Sequence, residues 1–286
     1  PTDLEVTAVG GTGSFSYQWF SNTTNTATGG VLISGANNSI YTPDTTTAGT
    51  VYYYCLVTTD ASGCETISLV SEVIVNEGPS IDTQPLAAQT VCLDGSTTAL
   101  EVTFIEGVGT PTYQWYSGLT CDTTDLSNPI PGATSNTFIP PSTAVASTNY
   151  FVILTFGDGG CGPITSECAL VTVVPDPEVQ IASAAPTPIC TGGTISDIQV
   201  STTGGTGTVS YDWYTSDALG TLISIHPNST NAASFNPGVF VADGLFYFVA
   251  VANFDGSGCD QAESLVITVD VKEDATLTAP LATQTL

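Results

Sequence analysis

Cysteine is the residue type whose number and spacing most directly indicate chemistry in this chain. The 286 residues contain eight cysteines, at positions 55, 64, 92, 121, 161, 168, 190 and 259. The chain has no Cys-x-x-Cys pair and a single histidine, so the sequence lacks the usual donors of a zinc site. The cysteines instead predict disulfides formed in an oxidising compartment.

Residues suited to catalysis are scarce. His226, the one histidine, stands in the segment IHPNST, where we expect a solvated loop residue rather than a general base. Lys272 is the one lysine and there is no arginine, so beyond this single residue the sequence offers no basic side chain to hold an oxyanion or a phosphate. We therefore predict a protein that is not an enzyme and carries no cofactor.

Three aspartates provide the only metal-binding alternative that we weigh. Asp60, Asp158 and Asp255 each precede a recurring Gly-Cys pair. Calcium takes several oxygen ligands, whereas Asp beside Gly is ordinary in turns. The sequence favours turn residues, and calcium at the repeat junctions stays open as the alternative.

The charge balance excludes two classes of partner. There are 27 acidic residues and one basic residue, and the formal net charge is −26. Such a chain lacks the basic patches that bind nucleic acid and repels anionic lipid surfaces. No apolar run reaches about 18 residues, so we predict no membrane insertion in this segment. The start PTDLEV does not resemble a signal peptide, and we expect the chain to be an interior piece of a longer protein.

Every tryptophan stands in one short aromatic phrase that recurs along the chain. The phrases are SYQWF, TYQWY and SYDWY, and they place the tryptophans 96 and 98 residues apart, at Trp19, Trp115 and Trp213. A tyrosine-rich run follows each phrase after 34 or 35 residues, marked by Tyr53, Tyr150 and Tyr247. Period-two alternation and Gly-rich turns between short runs predict an all-β chain of three tandem β-sandwich domains.

The repeats lie in a shifted frame. We place repeat 1 at residues 1–77 without its first strand, repeat 2 at 78–175, repeat 3 at 176–273, and the first strand of a following repeat at 274–286. The last segment, TLTAPLATQTL, matches SIDTQPLAAQTV of repeat 2. Two interpretations stay open. We favour a continuous array; the other is a subunit whose last strand completes the first repeat of a neighbouring subunit.

The arrangement resembles the immunoglobulin-like fold, in which a third-strand tryptophan packs between the two sheets. The resemblance implies a core built on the three tryptophans and on Tyr53, Tyr150 and Tyr247. Tyr53-Tyr54-Cys55 even matches that family's Tyr-x-Cys. No cysteine stands in the second strand near Leu4, so the usual inter-sheet disulfide is absent. We therefore expect Cys55 to be a buried free thiol.

A second set of aromatic residues is expected on the outer face of a sheet. Phe20, Tyr116 and Tyr214 should share this face with Tyr52 and Tyr54 or their equivalents. Such a face could bind sugars, but we favour cross-strand pairs that stabilise the sheet.

The resemblance also bears on disulfide connectivity. Cys92 and Cys190 end the first strand, and Cys161 and Cys259 lie in the last hairpin. In an immunoglobulin-like topology these positions are at opposite poles of a domain. The resemblance therefore favours a bond across a junction, Cys92–Cys259. The alternative is Cys92–Cys161 and Cys190–Cys259 inside repeats, which requires a different strand order. The two unmatched cysteines of repeat 2 are expected to pair as Cys121–Cys168.

Together, Tyr-Gln-Trp-Tyr, Tyr-x-Pro, Tyr-Tyr-Tyr, Gly-Cys and the lead Gln-Pro…Gln-Thr-Val-Cys resemble the tandem Ig-like repeats of large Bacteroidota cell-surface adhesins, including gliding-motility adhesins exported by type IX secretion. The resemblance implies an extracellular, non-enzymatic stalk or filament segment at the cell surface. Its partners would be neighbouring repeats or subunits, end to end. The alternatives are a self-polymerising filament or sheath subunit joined by strand donation, and a carbohydrate-binding module for surface glycans.

Short acceptor patterns for glycans also occur. Asn22, Asn37 and Asn228 fit Asn-x-Ser/Thr. Thr45 and Thr123 follow an aspartate, a pattern that resembles the acceptor of Bacteroidota O-glycoproteins. Both patterns occur often by chance in a threonine-rich chain.

Overall fold

The chain folds as a row of β-sandwiches. The computed structural model describes residues 2–61, 63–157, 161–255, 259 and 261–276. The regular structure in these residues is β-strand, and no helix among them is long and apolar enough to cross a bilayer. All strand pairs fall inside three segments, 4–75, 80–174 and 178–272, here called repeats 1, 2 and 3.

Repeat 1 contains fewer strands than repeats 2 and 3. They are β1 (Leu4–Glu5), β2 (Phe15–Asn22), β3 (Val31–Leu32), β4 (Ile40–Tyr41), β5 (Gly49–Thr59), β6 (Glu65–Ile67) and β7 (Ser71–Val75). β1 pairs with β4 on one side of the sandwich. On the other side, β5 lies between β2 and the successive strands β6 and β7, and β3 borders β2.

Repeat 2 adds a first strand in two parts. Its strands are β8 (Ser80–Thr83), β9 (Ala88–Cys92), β10 (Leu100–Glu101), β11 (Thr103–Ile105), β12 (Thr112–Gly118), β13 (Thr137–Phe138), β14 (Ala146–Thr155), β15 (Ile164–Thr165) and β16 (Ala169–Val174). β8 pairs antiparallel with β11 in one sheet, whereas β9 pairs parallel with β16 in the other.

Repeat 3 repeats that plan. Its strands are β17 (Glu178–Ile181), β18 (Ile189–Cys190), β19 (Ile198–Thr203), β20 (Val209–Ser216), β21 (Leu222–Ile225), β22 (Ser234–Phe235), β23 (Gly244–Phe254), β24 (Ala262–Glu263) and β25 (Ile267–Lys272). β17 pairs antiparallel with β19, and β18 pairs parallel with β25. The strand order and the buried third-strand tryptophan confirm the all-β class and the three tandem immunoglobulin-like domains.

The solvent-accessible area agrees with a row rather than a globule. The surface measures 16721 Å². A compact monomer of 29.3 kDa would expose roughly 11,500 Å² by the usual mass scaling. The excess is expected when each sandwich contacts only its neighbours.

The tryptophans occupy the centre of each core, as predicted. Trp19, Trp115 and Trp213 are at most 2% exposed. Each indole Nε1–H donates to a backbone carbonyl 19 or 20 residues later, at 2.8, 2.8 and 2.9 Å, on Asn38, Ser135 and Ala232. The polar edge of each indole is thus satisfied inside the core, which lets a large aromatic ring be buried without an unpaired donor.

The prediction that Tyr247 lies in the core is wrong. Tyr53 and Tyr150 are buried, but Tyr247 is only half-buried, and Phe248 takes the equivalent core position at 3% exposure. The register explains the difference, because Trp213 lies opposite Ala250 and Phe248 is two residues before it. A single residue of offset reverses the face of a strand side chain.

Candidate functional site at the repeat junctions

A disulfide links repeat 2 to repeat 3. Cys92 ends β9 beside Val174, and Cys259 lies between β23 and β24. Their Sγ atoms are bonded and their Cα atoms are 5.0 Å apart, although 167 residues separate them in sequence. This is the cross-junction pairing that the immunoglobulin-like topology favoured, and the alternative pairings of Cys92 with Cys161 and of Cys190 with Cys259 do not form.

The linkers at both junctions are held by glycine turns of the following repeat. The N–H of Gly107 donates to the carbonyl of Glu77 at 3.1 Å, and the N–H of Gly205 donates to the carbonyl of Pro175 at 2.9 Å. Gly204, with φ +71°, passes so close that a Cβ there would lie 2.4 Å from the Asp176 carbonyl oxygen. Positive φ and this close approach both require glycine.

The aspartates that precede the Gly-Cys pairs act as turn residues where they are described. Oδ1 of Asp60 accepts from the N–H of Ser14, and Oδ1 of Asp255 accepts from the N–H of Thr208, both at 2.8 Å. The hydrogen bond from Thr208 holds the pKa of Asp255 below its ordinary value. Asp158 lies outside the described residues. Within the part of the chain that is described, no three Asp, Glu, His or Cys side chains converge as a metal site.

The second disulfide lies inside repeat 2. Cys121, in the loop after β12, is bonded to Cys168, just before β16, with Cα atoms 5.9 Å apart. This is the expected pair of unmatched cysteines. It closes a loop of 47 residues, for which the chain-entropy model gives a stabilisation of about 4 kcal/mol.

The remaining thiols differ in environment. Cys55 is fully buried opposite Trp19, as expected, and burial raises the pKa of its thiol. Cys64 and Cys190 are exposed. Cys161 is half-buried, packs against the core of repeat 2, and lines a cleft at the junction with repeat 1.

The outer aromatic residues form closed cross-strand pairs. Phe20 stacks on Tyr54 with ring centroids 5.1 Å apart, and Tyr116 stacks on Phe151 at 5.2 Å. Tyr54 and Phe151 are 5% and 3% exposed. The Tyr54 hydroxyl also accepts from the N–H of Gly30 at 3.1 Å. A sugar ring has no open face of Tyr54 on which to stack, so this geometry supports the cross-strand interpretation.

The remaining outer positions behave differently. Tyr214 lies opposite Val249 and therefore has no aromatic partner across the strand pair. The Tyr52 hydroxyl, which is solvent-accessible, donates to the carboxylate of Glu72 at 2.8 Å. This hydrogen bond to the neutral phenol raises the pKa of Tyr52.

His226 is not the solvated loop residue that the sequence suggested. Its ring packs edge-on against Phe235 and Phe248, with centroids 5.0 and 5.8 Å apart. Burial lowers the pKa of the imidazole. Nδ1 accepts from the N–H of Asn228 at 3.1 Å, so the neutral ring serves as a packing and turn residue.

The candidate glycan acceptors are unequally accessible. Asn37, Asn228 and Thr45 are exposed, whereas Asn22 and Thr123 are half-buried. The side-chain amide of Asn22 donates to the carbonyls of residues 26 and 28, both at 3.1 Å. That of Asn228 donates to the carbonyl of residue 236 at 3.1 Å. Asn37 and Thr45 are thus the acceptors with the best access.

Sequence reasoning missed one recurring serine. Ser68, Ser166 and Ser264 lie where the last strand of each repeat breaks into two parts. Each Oγ accepts from the buried N–H of the residue opposite the tryptophan, at 2.9, 3.0 and 3.0 Å. Their constant spacing of 98 residues was the available signal.

Comparison with known proteins adds limited information. A family model described as "Domain of unknown function (DUF8696)" matches residues 83–175, which is repeat 2. No curated protein matches the sequence. The immunoglobulin-like assignment rests on strand order and the buried tryptophans.

Several solved multidomain structures align with most of the chain. An I-band fragment of titin is 12% identical over 93% of this chain and 90% of that chain, with a TM-score of 0.40. Extracellular domains 3–5 of Drosophila OTK are 16% identical over 90% and 85%, with a TM-score of 0.37. The N-terminal four Ig domains of Dscam1 are 12% identical over 89% of this chain and 64% of that chain, with a TM-score of 0.33.

Proposed function

We propose that the chain is a non-enzymatic structural segment of an extracellular protein, in which stacked sandwiches form a stiff rod. The observation that carries the proposal is the Cys92–Cys259 bond between repeats. A disulfide inside a domain stabilises its fold, whereas this one fixes the angle between two domains. Inter-domain motion is otherwise the default expectation for domains joined by short linkers.

Three further features support a rod. At each junction the linker is short, and a glycine turn of the following repeat donates a backbone hydrogen bond to it, from Gly107 to Glu77 and from Gly205 to Pro175. Three sandwiches in a row would span roughly 100 Å. Disulfides and a net charge of −26 suit a soluble protein outside the reducing cytosol.

We further propose that this segment belongs to the stalk of a Bacteroidota cell-surface adhesin of the gliding-motility type, exported by type IX secretion. The resemblance of the recurring sequence phrases to the repeats of such adhesins supports this proposal. In this proposal the partners are neighbouring repeats end to end, and the distal ligand is bound elsewhere. Surface glycans would be bound outside the aromatic pairs, since Tyr54 is buried.

The rod is tested by removing each disulfide separately. The double variant Cys92→Ser with Cys259→Ser should broaden the distribution of angles between repeats 2 and 3 in single-particle images and in small-angle scattering. The matched control, Cys121→Ser with Cys168→Ser, should lower the stability of repeat 2 and leave that angle unchanged. Identical angle distributions in the wild type and in the first variant would show that the Cys92–Cys259 disulfide does not fix the angle between the two repeats.

Calcium at the junctions is a separate proposal. Asp60 and Asp255 each have one carboxylate oxygen bound to a backbone N–H, which leaves the second oxygen for a ligand. Calcium should raise the melting temperature of the wild type, and Asp255→Asn should reduce the increase. Equal melting temperatures of the wild type in calcium and in chelator would contradict calcium binding at the junctions.

A further inference from the structure

Tension along the chain would load repeats 2 and 3 through their first and last strands if no disulfide joined them. In repeat 2, β9 runs parallel to β16, with paired residues from Ala88 and Leu170 at one end to Cys92 and Val174 at the other. A pull on the two ends of the chain draws two such parallel strands in opposite directions. The evenly spaced hydrogen bonds between them are then sheared together, and the repeat opens when they fail.

The equivalent ladder of repeat 3 is shorter. Among the described residues, β18 pairs with β25 at two positions, Ile189 with Val271 and Cys190 with Lys272. The N–H of Thr191 adds a hydrogen bond to the carbonyl of Lys272 at 3.0 Å. Because fewer hydrogen bonds share the load, repeat 3 without further support should open at a lower force than repeat 2.

The disulfide between Cys92 and Cys259 changes the covalent route that tension takes. Cys92 is the last residue of β9, and Cys259 lies between β23 and β24 in the last hairpin of repeat 3. The shortest covalent route therefore runs along β8 and β9, across the disulfide, and on through β24 and β25. We call this route the load path. The chain between residues 92 and 259 forms a closed loop that lies outside it.

The strands of the load path are already close to full extension. A β-strand rises about 3.3 Å per residue, which is near the limit of about 3.3–3.6 Å for a fully extended chain. β9 ends at the junction between repeats 2 and 3, and β25 leads away from that junction. The load path therefore has little slack, and it becomes taut before the folded cores beside it are deformed.

We propose that the Cys92–Cys259 disulfide makes repeats 2 and 3 inextensible under tension, because it carries the load past their cores. The cores built around Trp115 and Trp213 belong to strands inside the closed loop, so they bear no tension while the bond is intact. The short ladder between β18 and β25 is bypassed as well, since its β18 side also lies inside the loop.

The position of the bond protects it from exchange with other thiols. Cys92 is 0% exposed and Cys259 is half-buried. The backbone N–H of Thr206, in a glycine-rich turn of repeat 3, donates to the Cys259 sulfur at 3.3 Å. Exchange requires a thiolate to reach one of the two sulfur atoms, and the burial of Cys92 limits that access. The load path therefore stays intact while repeats 2 and 3 are folded.

The second disulfide provides an internal control for the load path. Cys121 and Cys168 both lie inside the closed loop between residues 92 and 259. While the outer bond is intact, the inner bond carries no tension and should not affect the length of the stretched chain. Without the outer bond, tension runs through repeat 2, and the inner bond then withholds 47 residues from extension.

The inference goes beyond the proposed function, because a stiff rod resists bending whereas the load path resists stretching. Single-molecule force spectroscopy of the full chain, held at its two ends, tests it. Four forms are compared: the wild type, the outer variant Cys92→Ser with Cys259→Ser, the inner variant Cys121→Ser with Cys168→Ser, and the chain with all four substitutions. Repeat 1 lies outside the closed loop and contributes the same length to each form.

The four forms should differ in a characteristic way. The wild type and the inner variant should show no unfolding step from repeats 2 and 3, and both should reach the same final length. The outer variant should show further steps and gain about 400–430 Å, from the 167 residues of the outer loop less the 47 still closed by the inner bond. The chain with all four substitutions should gain about 150–170 Å more.

Two results would overturn the proposal. One is an unfolding step of repeat 2 or repeat 3 in the wild type at forces too low to break a covalent bond. The other is a longer final length in the inner variant than in the wild type. This second comparison leaves Cys92 and Cys259 in place, so it remains decisive if the outer variant does not fold. The rod is judged by the angle between repeats 2 and 3 in the absence of load, so either proposal can fail without the other.

Discussion

The hydroxyl of Ser166 accepts a hydrogen bond from the buried backbone N–H of Val152 at 3.0 Å. The same oxygen donates to the carbonyl of Glu167 at 2.9 Å. At this point the last strand of repeat 2 breaks between β15 and β16, so the ladder with β14 would otherwise leave an N–H unpaired. The serine side chain bridges the break through Val152, the residue of β14 that lies opposite Trp115 of β12.

Ser166→Ala should lower the free energy of unfolding of repeat 2 by about 1–3 kcal/mol, because it leaves a buried N–H without a partner. Ser147→Ala is the matched control. Its hydroxyl lies 3.2 Å from that of Thr172 on the exposed face of the same strand pair, where water can replace it. Urea denaturation of both variants checks the prediction, and equal midpoints would contradict it.

Gly204→Ala should destabilise repeat 3 and loosen its junction with repeat 2. Its φ of +71° strains any residue with a Cβ, and the new atom would clash with the Asp176 carbonyl oxygen. Gly192→Ala isolates the first effect, since Gly192 has φ +84° and no atom near the Cβ position. We expect a loss on the order of 1 kcal/mol for Gly192→Ala and a larger one for Gly204→Ala. Equal melting temperatures would show that the close contact does not matter.

The sequence predicted the parts of this molecule that recur. The tryptophan phrase appears three times, so its burial, the strand alternation around it and the three-domain plan could be derived from spacing. Tyr247 was misplaced because spacing was counted from Trp213, while the intervening loop of repeat 3 has one residue more than that of repeat 1. Strand register, rather than distance along the chain, decides which face a residue occupies.

Features that depend on packing could not be derived in the same way. His226 lies in a polar segment, and only the fold places the rings of Phe235 and Phe248 against it. The cross-strand aromatic pairs on the outer sheet face were the favoured interpretation of the sequence, but the burial of Tyr54 and Phe151 in them is visible only in the structure. The cross-junction disulfide was favoured in advance because strand topology assigns each cysteine to a pole.

Cys55 should resist alkylation in the folded protein. Burial raises the pKa of its thiol, and its side chain has no exposed surface opposite Trp19. The thiolate is the reactive form, so both effects suppress reaction. Cys190, which is exposed, is the internal control. Iodoacetamide followed by peptide mass spectrometry should label Cys190 in native buffer and Cys55 only in denaturant. Rapid native labelling of Cys55 would contradict the packing of repeat 1.

Acidification from pH 7 towards pH 5 should destabilise repeat 3 through His226. Burial among aromatic rings lowers the pKa of this imidazole below its ordinary value of 6.5. The unfolded chain therefore takes up the proton first. Stability is independent of this group above the unfolded pKa and falls as the pH drops below it. Because the chain has a single histidine, thermal unfolding between pH 5 and 7 reports on this group.

His226→Gln separates this titration from other effects of pH. Glutamine retains a hydrogen-bond acceptor near the N–H of Asn228 but does not titrate, so the variant should be less stable at pH 7 and nearly independent of pH down to about pH 5. The carboxylates, whose ordinary pKa values lie near 4, should change little over this range. If the wild type and the variant lose stability in parallel between pH 7 and 5, the buried imidazole is not the cause. The loss would then come from protonation of acidic groups elsewhere on this chain, whose net charge is −26.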